Sequence, residues 1–143
     1  MRIPLISKTA FFFSSGIVTM FWMASAIEHF RNPWWFLNSI LRYEILPGEL
    51  AAATAALLPV LQSTLAIVII FERRSGVGLL ISCLLFTAFG AVQTSSWIHG
   101  MNISCGCFGT FSEPISLRTI FADVFLATIS FLGFLSCRLN KKR

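Results

Sequence analysis

Two cysteines lie one residue apart in the run Ser104-Cys105-Gly106-Cys107-Phe108-Gly109. A disulfide across Cys-x-Cys closes a very small ring. Departures from relaxed disulfide geometry store strain and make the bond easier to reduce. Gly106, between them, supplies the backbone freedom such a ring needs. This is the composition of an exchangeable dithiol rather than of a structural staple. Two soft thiolates also suit Cu(I) or zinc. With only His99 and Met101 nearby in sequence they form an incomplete site, so no metal ligands are assigned. The plainest alternative is a pair of small residues without chemistry.

The setting of these cysteines follows from where charge is missing. The chain has 143 residues, of which 56% are apolar and 12% charged, against roughly 25% charged in an ordinary soluble domain. Fifteen Phe and four Trp add to the imbalance. A soluble enzyme, a nucleic-acid binder and a disordered chain are all poor fits. The net charge of +5 needs no polyanionic partner if the basic residues sit at membrane edges. Charges are absent from residues 9–27, 50–71 and 75–98, and residues 119–137 hold a single one, Asp123. About 20 apolar residues cross a bilayer as a helix, and in hydrocarbon only helices and closed barrels satisfy their own backbone. The pattern predicts an all-α protein with one domain over residues 1–143. It is an integral membrane four-helix bundle with spans near 9–27, 50–71, 75–98 and 117–137. Ala24-Ser25-Ala26 fits a signal-peptidase site, but the uncharged run before it exceeds the usual signal core, so the first span is read as retained.

Four spans put both termini on one side. That side, with the connection between spans two and three, carries Arg2, Lys8, Arg73, Arg74, Arg138, Lys141, Lys142 and Arg143; the other carries Arg31, Arg42 and Arg118. The excess places both termini in the cytoplasm, here of a bacterial inner membrane, and turns segments 28–49 and 99–116 outward. The short connection at 72–74 makes spans two and three antiparallel neighbours. In the first outer segment, Pro33 and Pro47 bracket Trp34, Trp35, Phe36, Ile40, Tyr43 and Ile45, interleaved with polar residues. This reads as a short interfacial helix, compatible with packing over the bundle's outer end. In the second span Pro59 removes a backbone donor and predicts a kink. Gln62, Ser63 and Thr64 follow it and are placed to help satisfy the freed groups.

Depth then separates the four cysteines. Cys83 lies roughly 22 Å from the outer end of its span, at 1.5 Å per residue, and Cys137 lies at the cytoplasmic end of the fourth. Neither comes within the roughly 7 Å between Cα atoms that a disulfide allows, so Cys105 and Cys107 have only each other, or a partner's thiol, on the oxidising side. Asp123 is the one acidic residue inside a span. Such residues usually face a bundle interior, and Gln93, Thr94 and Ser95 lie at similar depth. A carboxyl bonded there is placed to relay protons from thiol oxidation, or simply to join two helices. A nearby cation or base raises a thiol's thiolate fraction. Arg118 is the first candidate for that task and His99 the second, each being equally suited to anchoring a helix end.

The run Cys105-Gly106-Cys107-Phe108-Gly109, placed between two apolar spans, resembles the MauE family, within the broader DoxX-like membrane proteins. Pro33, Phe36, Ile40, Tyr43 and Ile45-Leu46-Pro47 match after the first span, Leu57-Leu58-Pro59 in the second, and Gly100 before the cysteines. The resemblance implies a redox-associated membrane protein that assists disulfide formation in an extracytoplasmic client. For MauE-like proteins that client is the small (β) subunit of methylamine dehydrogenase. A thiol–disulfide oxidoreductase is thus the expected class, with membrane lipid and a client or partner thiol oxidoreductase as its contacts and no nucleic acid. By analogy with other four-helix thiol oxidoreductases, a membrane quinone is the acceptor class, though no quinone site is legible in the sequence. The alternative is a non-catalytic assembly, transport or metal-handling factor.

The topology has a direct test. A membrane-impermeant maleimide applied to intact cells after mild reduction is expected to label Cys105 and Cys107 but not Cys137. Labelling of Cys137 alone would reverse the assigned sides.

Overall fold

The computed structural model describes residues 3–71, 76–101, 103–106 and 114–141. Among them are α1 (Ile3–Arg31), α2 (Pro33–Arg42), α3 (Gly48–Phe71), α4 (Val77–Ile98) and α5 (Leu117–Lys141), with an isolated antiparallel bridge between Ser104 and Pro114. The protein is an all-α bundle, and α1, α3, α4 and α5 are each long and apolar enough to cross a membrane. Their lipid-facing sides stay apolar: Phe13, Met20, Leu57, Phe71, Leu84 and Phe121 are all exposed. Hydroxyls on the helices return to their own backbone. Thr54, Thr87, Thr94 and Thr128 each donate to the carbonyl four residues back, so no side-chain donor faces hydrocarbon unpaired at those positions.

The uncharged run ends at residue 27, yet α1 continues through Arg31. What stops it is Pro33, which pushes the preceding residue out of the helical region. Asn32 accordingly sits at φ −131°, ψ 63°, and α2 starts at once with Pro33 in its first turn. α2 buries Phe36 and Ser39 and rests on the outer ends of α3 and α1.

The helix neighbours differ from those that the short connection implies. α1 packs along α3 and α5, and α4 along α5, whereas α3 and α4 touch little. Gly78 of α4 lies against Val68 and Ile69 of α3, next to their connection. Farther out, aromatic bulk fills the middle of the bundle. Trp22 of α1 is fully buried, stacks on Phe86 of α4 at 4.5 Å between ring centroids, and donates its indole N–H to Ser82 Oγ at 2.8 Å. Phe21 meets the same Phe86 edge-on. Val18, Leu65, Ala66, Ile69, Leu79 and Leu126 complete this core.

The expectation at Pro59 is corrected. The carbonyl deprived of its donor is that of Ala55, four residues back. Ser63 instead donates to Pro59 and Thr64 to Val60, while Gln62 turns inward to Ser25 and His29.

Packing is close where α5 crosses α1. A Cβ placed on Gly133 would lie 2.8 Å from Ser14 Cβ and 2.9 Å from Leu79 Cδ1. Gly133→Val is expected to lower stability by about 1–3 kcal/mol, the usual cost of overpacking, whereas Gly16→Val, with nothing within 4 Å of its Cβ, is expected to be near neutral. Thermal unfolding of the two variants in detergent checks this; equal midpoints would contradict the packing.

Candidate functional site

The segment after α4 turns back into the bundle. Gly100 adopts φ +69°, Met101 N–H returns to the Ser96 carbonyl, and the two ends of the loop are clipped together. Ser104 pairs with Pro114, and Ile115 N–H donates to the Ile103 carbonyl at 2.9 Å. Cys105 and Gly106 are thereby set down on the outer end of the bundle.

Three elements grip them. Tyr43, just past α2, donates its hydroxyl to the Cys105 carbonyl at 3.0 Å. Gln93 of α4 donates its amide N–H to Cys105 Sγ at 3.2 Å. His29 of α1 places Nε2 2.9 Å from the Gly106 carbonyl. Gly106 is buried, sits at φ +80°, and passes so close to α2 that an added Cβ would stand 3.4 Å from Ser39 Cβ. Both the positive φ and the close approach call for glycine.

His29 is itself fixed on all sides. Its ring stacks on Phe36 at 3.7 Å, and Nδ1 lies 3.0 Å from the Gln62 side-chain carbonyl, whose amide group reaches Ser25 Oγ at 3.2 Å. The Gly106 carbonyl can only accept, so Nε2 carries a proton. In this arrangement Nδ1 also donates, which makes the ring an imidazolium. A neutral ring requires the Gln62 amide to turn over, offering its NH2 to Nδ1 and its carbonyl to the Ser25 hydroxyl. Amide orientation and ring charge are therefore coupled.

On the other side, the nitrogen of Gln93 that donates to Cys105 also donates to Asp123 Oδ2. Asp123 is buried and points to α4, where sequence reasoning placed it, so α4, α5 and the cysteine loop meet at one amide.

Gln93 lies about 7 Å inside the end of α4, at 1.5 Å per residue, and the Cys105 sulfur is drawn down to it. His99 is exposed and bonds the Ser95 carbonyl in its own helix. Arg118 is exposed at the start of α5. Among the described residues, the imidazole of His29 reaches the cysteine motif at the Gly106 carbonyl. Its signal in the sequence is the spacing Trp22, Ser25, His29, which shares one helix face. Tyr43, the single tyrosine of the chain, carried no such signal and read as an interfacial aromatic. Cys107, Phe108 and Gly109 lie outside the described residues. Cys83 is half-buried in α4 and Cys137 buried near the C-terminal end of α5, beside Gly76. No group of three His, Cys, Asp or Glu gathers among the described residues.

Beneath Cys105 lies a cavity of about 310 Å³ whose wall is almost entirely apolar. It fills the gap between the outer halves of α3 and α4, with Leu58 on one side and Phe89 and Val92 on the other.

A family model described as methylamine utilisation protein MauE matches residues 7–136. The chain belongs to the MauE family. A curated relative, methylamine utilization protein MauE of Methylophilus methylotrophus, is 31% identical over 113 residues, covering 78% of this chain and 58% of the relative. The chain thus spans little more than half of that protein's length. No solved structure matches it. The family match takes in all four long helices and the cysteine motif, and with the apolar spans it makes this chain a multi-pass membrane protein in contact with lipid.

His29 carries the clearest mutational consequence in this MauE chain. His29→Leu strands the Gly106 carbonyl and one group of Gln62 in a buried site, at a cost of about 1–3 kcal/mol. The expected outcome is a lower thermal midpoint together with faster alkylation of Cys105, mapped by mass spectrometry. Unchanged stability and unchanged alkylation would show that His29 does not hold the loop.

Proposed function

We propose that this MauE-family chain serves methylamine utilisation as a thiol–disulfide redox accessory protein of the bacterial inner membrane. It exchanges electrons with an extracytoplasmic client, for which the small subunit of methylamine dehydrogenase is the candidate. Both termini face the cytoplasm in this reading, and one domain carries the activity. The observation that carries the proposal is the grip on Cys105. Its sulfur is met by Gln93 and its backbone by Tyr43, with His29 on the next carbonyl. A thiol whose sulfur and flanking backbone are held from three parts of the fold is prepared to attack or leave along one direction.

In the oxidised form a client thiolate attacks the Cys105–Cys107 disulfide. One client sulfur forms a mixed disulfide while the other cysteine leaves as a thiolate. The second client thiolate then attacks the mixed disulfide, so the client leaves oxidised and the chain holds two reduced cysteines. Asp123, joined to the Cys105 sulfur through the Gln93 nitrogen, is the proposed station for a proton released on reoxidation. Arg118 is the cation, and His99 the second candidate, proposed to raise a thiol's thiolate fraction.

Client oxidation in membranes separates this reading from a non-catalytic assembly or metal-handling factor. Cys105→Ser and Cys107→Ser are each expected to fall to the uncatalysed background, with one of the two accumulating a mixed disulfide for want of its resolving thiol. Cys83→Ala retains activity, since that thiol is too deep to join the exchange. Full activity in either serine variant would reject the dithiol mechanism in favour of the assembly reading.

A further inference from the structure

The cavity beneath Cys105 has the dimensions and chemistry of a ligand site. Its volume of about 310 Å³ is at the lower end of the range for small-molecule pockets, about 300–1,000 Å³. Aromatic faces form much of the wall, from Phe21, Trp22, Phe36 and Phe89. So apolar an enclosure offers water few partners, and a ligand that fills it must be largely apolar and can be flat. Two features of the wall are of another kind. Cys105 lines the cavity, and so does Asp123, whose Oδ2 is taken by Gln93 while Oδ1 has no hydrogen-bond partner among the described residues. Ile45, Leu46 and Leu58 also border the cavity, at the level where exposed Leu50 and Leu57 face lipid, so an apolar ligand reaches it from the bilayer without crossing water. A lipid acyl chain would match the apolar wall but has nothing to offer a sulfur and a carboxyl group. A ring bearing carbonyl oxygens matches all three.

We infer that this cavity binds the ring of a membrane quinone and that the bound quinone reoxidises the Cys105/Cys107 dithiol. The inference rests on the thiol–disulfide reading above and supplies its acceptor. The step balances: two thiols lose two electrons and two protons and form one S–S bond, and the quinone gains both to become a quinol. Asp123 passes a proton between the thiol side and a quinone oxygen, and Gln93 holds sulfur and carboxylate in line. Quinol then leaves to the bilayer by the route through which quinone entered.

The test uses the purified full chain in phospholipid nanodiscs and a short-chain ubiquinone bearing an aryl azide. Photolysis is expected to label peptides containing Leu58, Phe89 and Val92, and an excess of unlabelled ubiquinone-1 is expected to suppress that labelling by about tenfold or more, whereas added oleic acid does not. Cys83→Ala, which does not line the cavity, labels as the wild type does, and Leu58→Trp, which fills the cavity, loses the competed signal. In the wild type, reduced chain mixed with ubiquinone-1 yields quinol in equal amount to disulfide formed. Labelling confined to lipid-facing residues such as Leu57 or Phe131, or suppressed equally by oleic acid, overturns the site. Thiol exchange with glutathione disulfide, measured in parallel without quinone, distinguishes that failure from failure of the dithiol reading itself.

Discussion

Lipid offers no hydrogen-bond partners, so the polar groups sunk into this end of the bundle depend on protein for theirs. His29 meets the largest share of that demand. Through Gln62 it ties α1 to α3, through Phe36 it rests on α2, and through the Gly106 carbonyl it fastens the cysteine loop. Gln93 performs the matching task from α4, with one nitrogen shared between Cys105 and Asp123. The two side chains approach the Cys105–Gly106 segment from opposite sides of the bundle, and the segment's position follows from both.

The aromatic centre sets the space beneath. Between helices in lipid there is little hydrophobic driving force, so shape and hydrogen bonding decide association. Trp22 and Phe86, stacked and anchored by Ser82, occupy the middle of the bundle, while Gly78 lets α4 close on α3 next to their connection. The helices are near at one end and apart at the other. The gap is the cavity, and α2 with Tyr43 roofs it. Sulfur, carboxyl group and apolar enclosure are brought together by one packing arrangement.

This arrangement also divides the cysteines by environment. Cys83 and Cys137 sit on helices whose backbones are already satisfied and behave as small apolar side chains. Cys105 lies where the chain leaves helical geometry. Its backbone and sulfur are therefore committed to side chains from elsewhere in the fold, and such commitments fix the direction of a reactive group.

The number and type of elements were legible in the chain itself. Uncharged runs of spanning length dictate helices wherever the solvent is hydrocarbon, Pro33 ends the first of them, and the cost of a lipid-facing carboxylate turned Asp123 inward toward Gln93. The glycine between the two cysteines likewise signalled a backbone departure that the fold shows, Gly106 at φ +80°. What only the tertiary structure decided was the neighbourhood. His29 reaches the Gly106 carbonyl, Tyr43 leaves the interface to hold Cys105, Gln62 serves His29 instead of the Pro59 backbone, and α3 and α4 part despite their short connection. Each of these depends on which faces of distant helices meet. Apolar residues all around a membrane helix carry little information about that. The few polar side chains that do carry it can be paired only once the helices are in place.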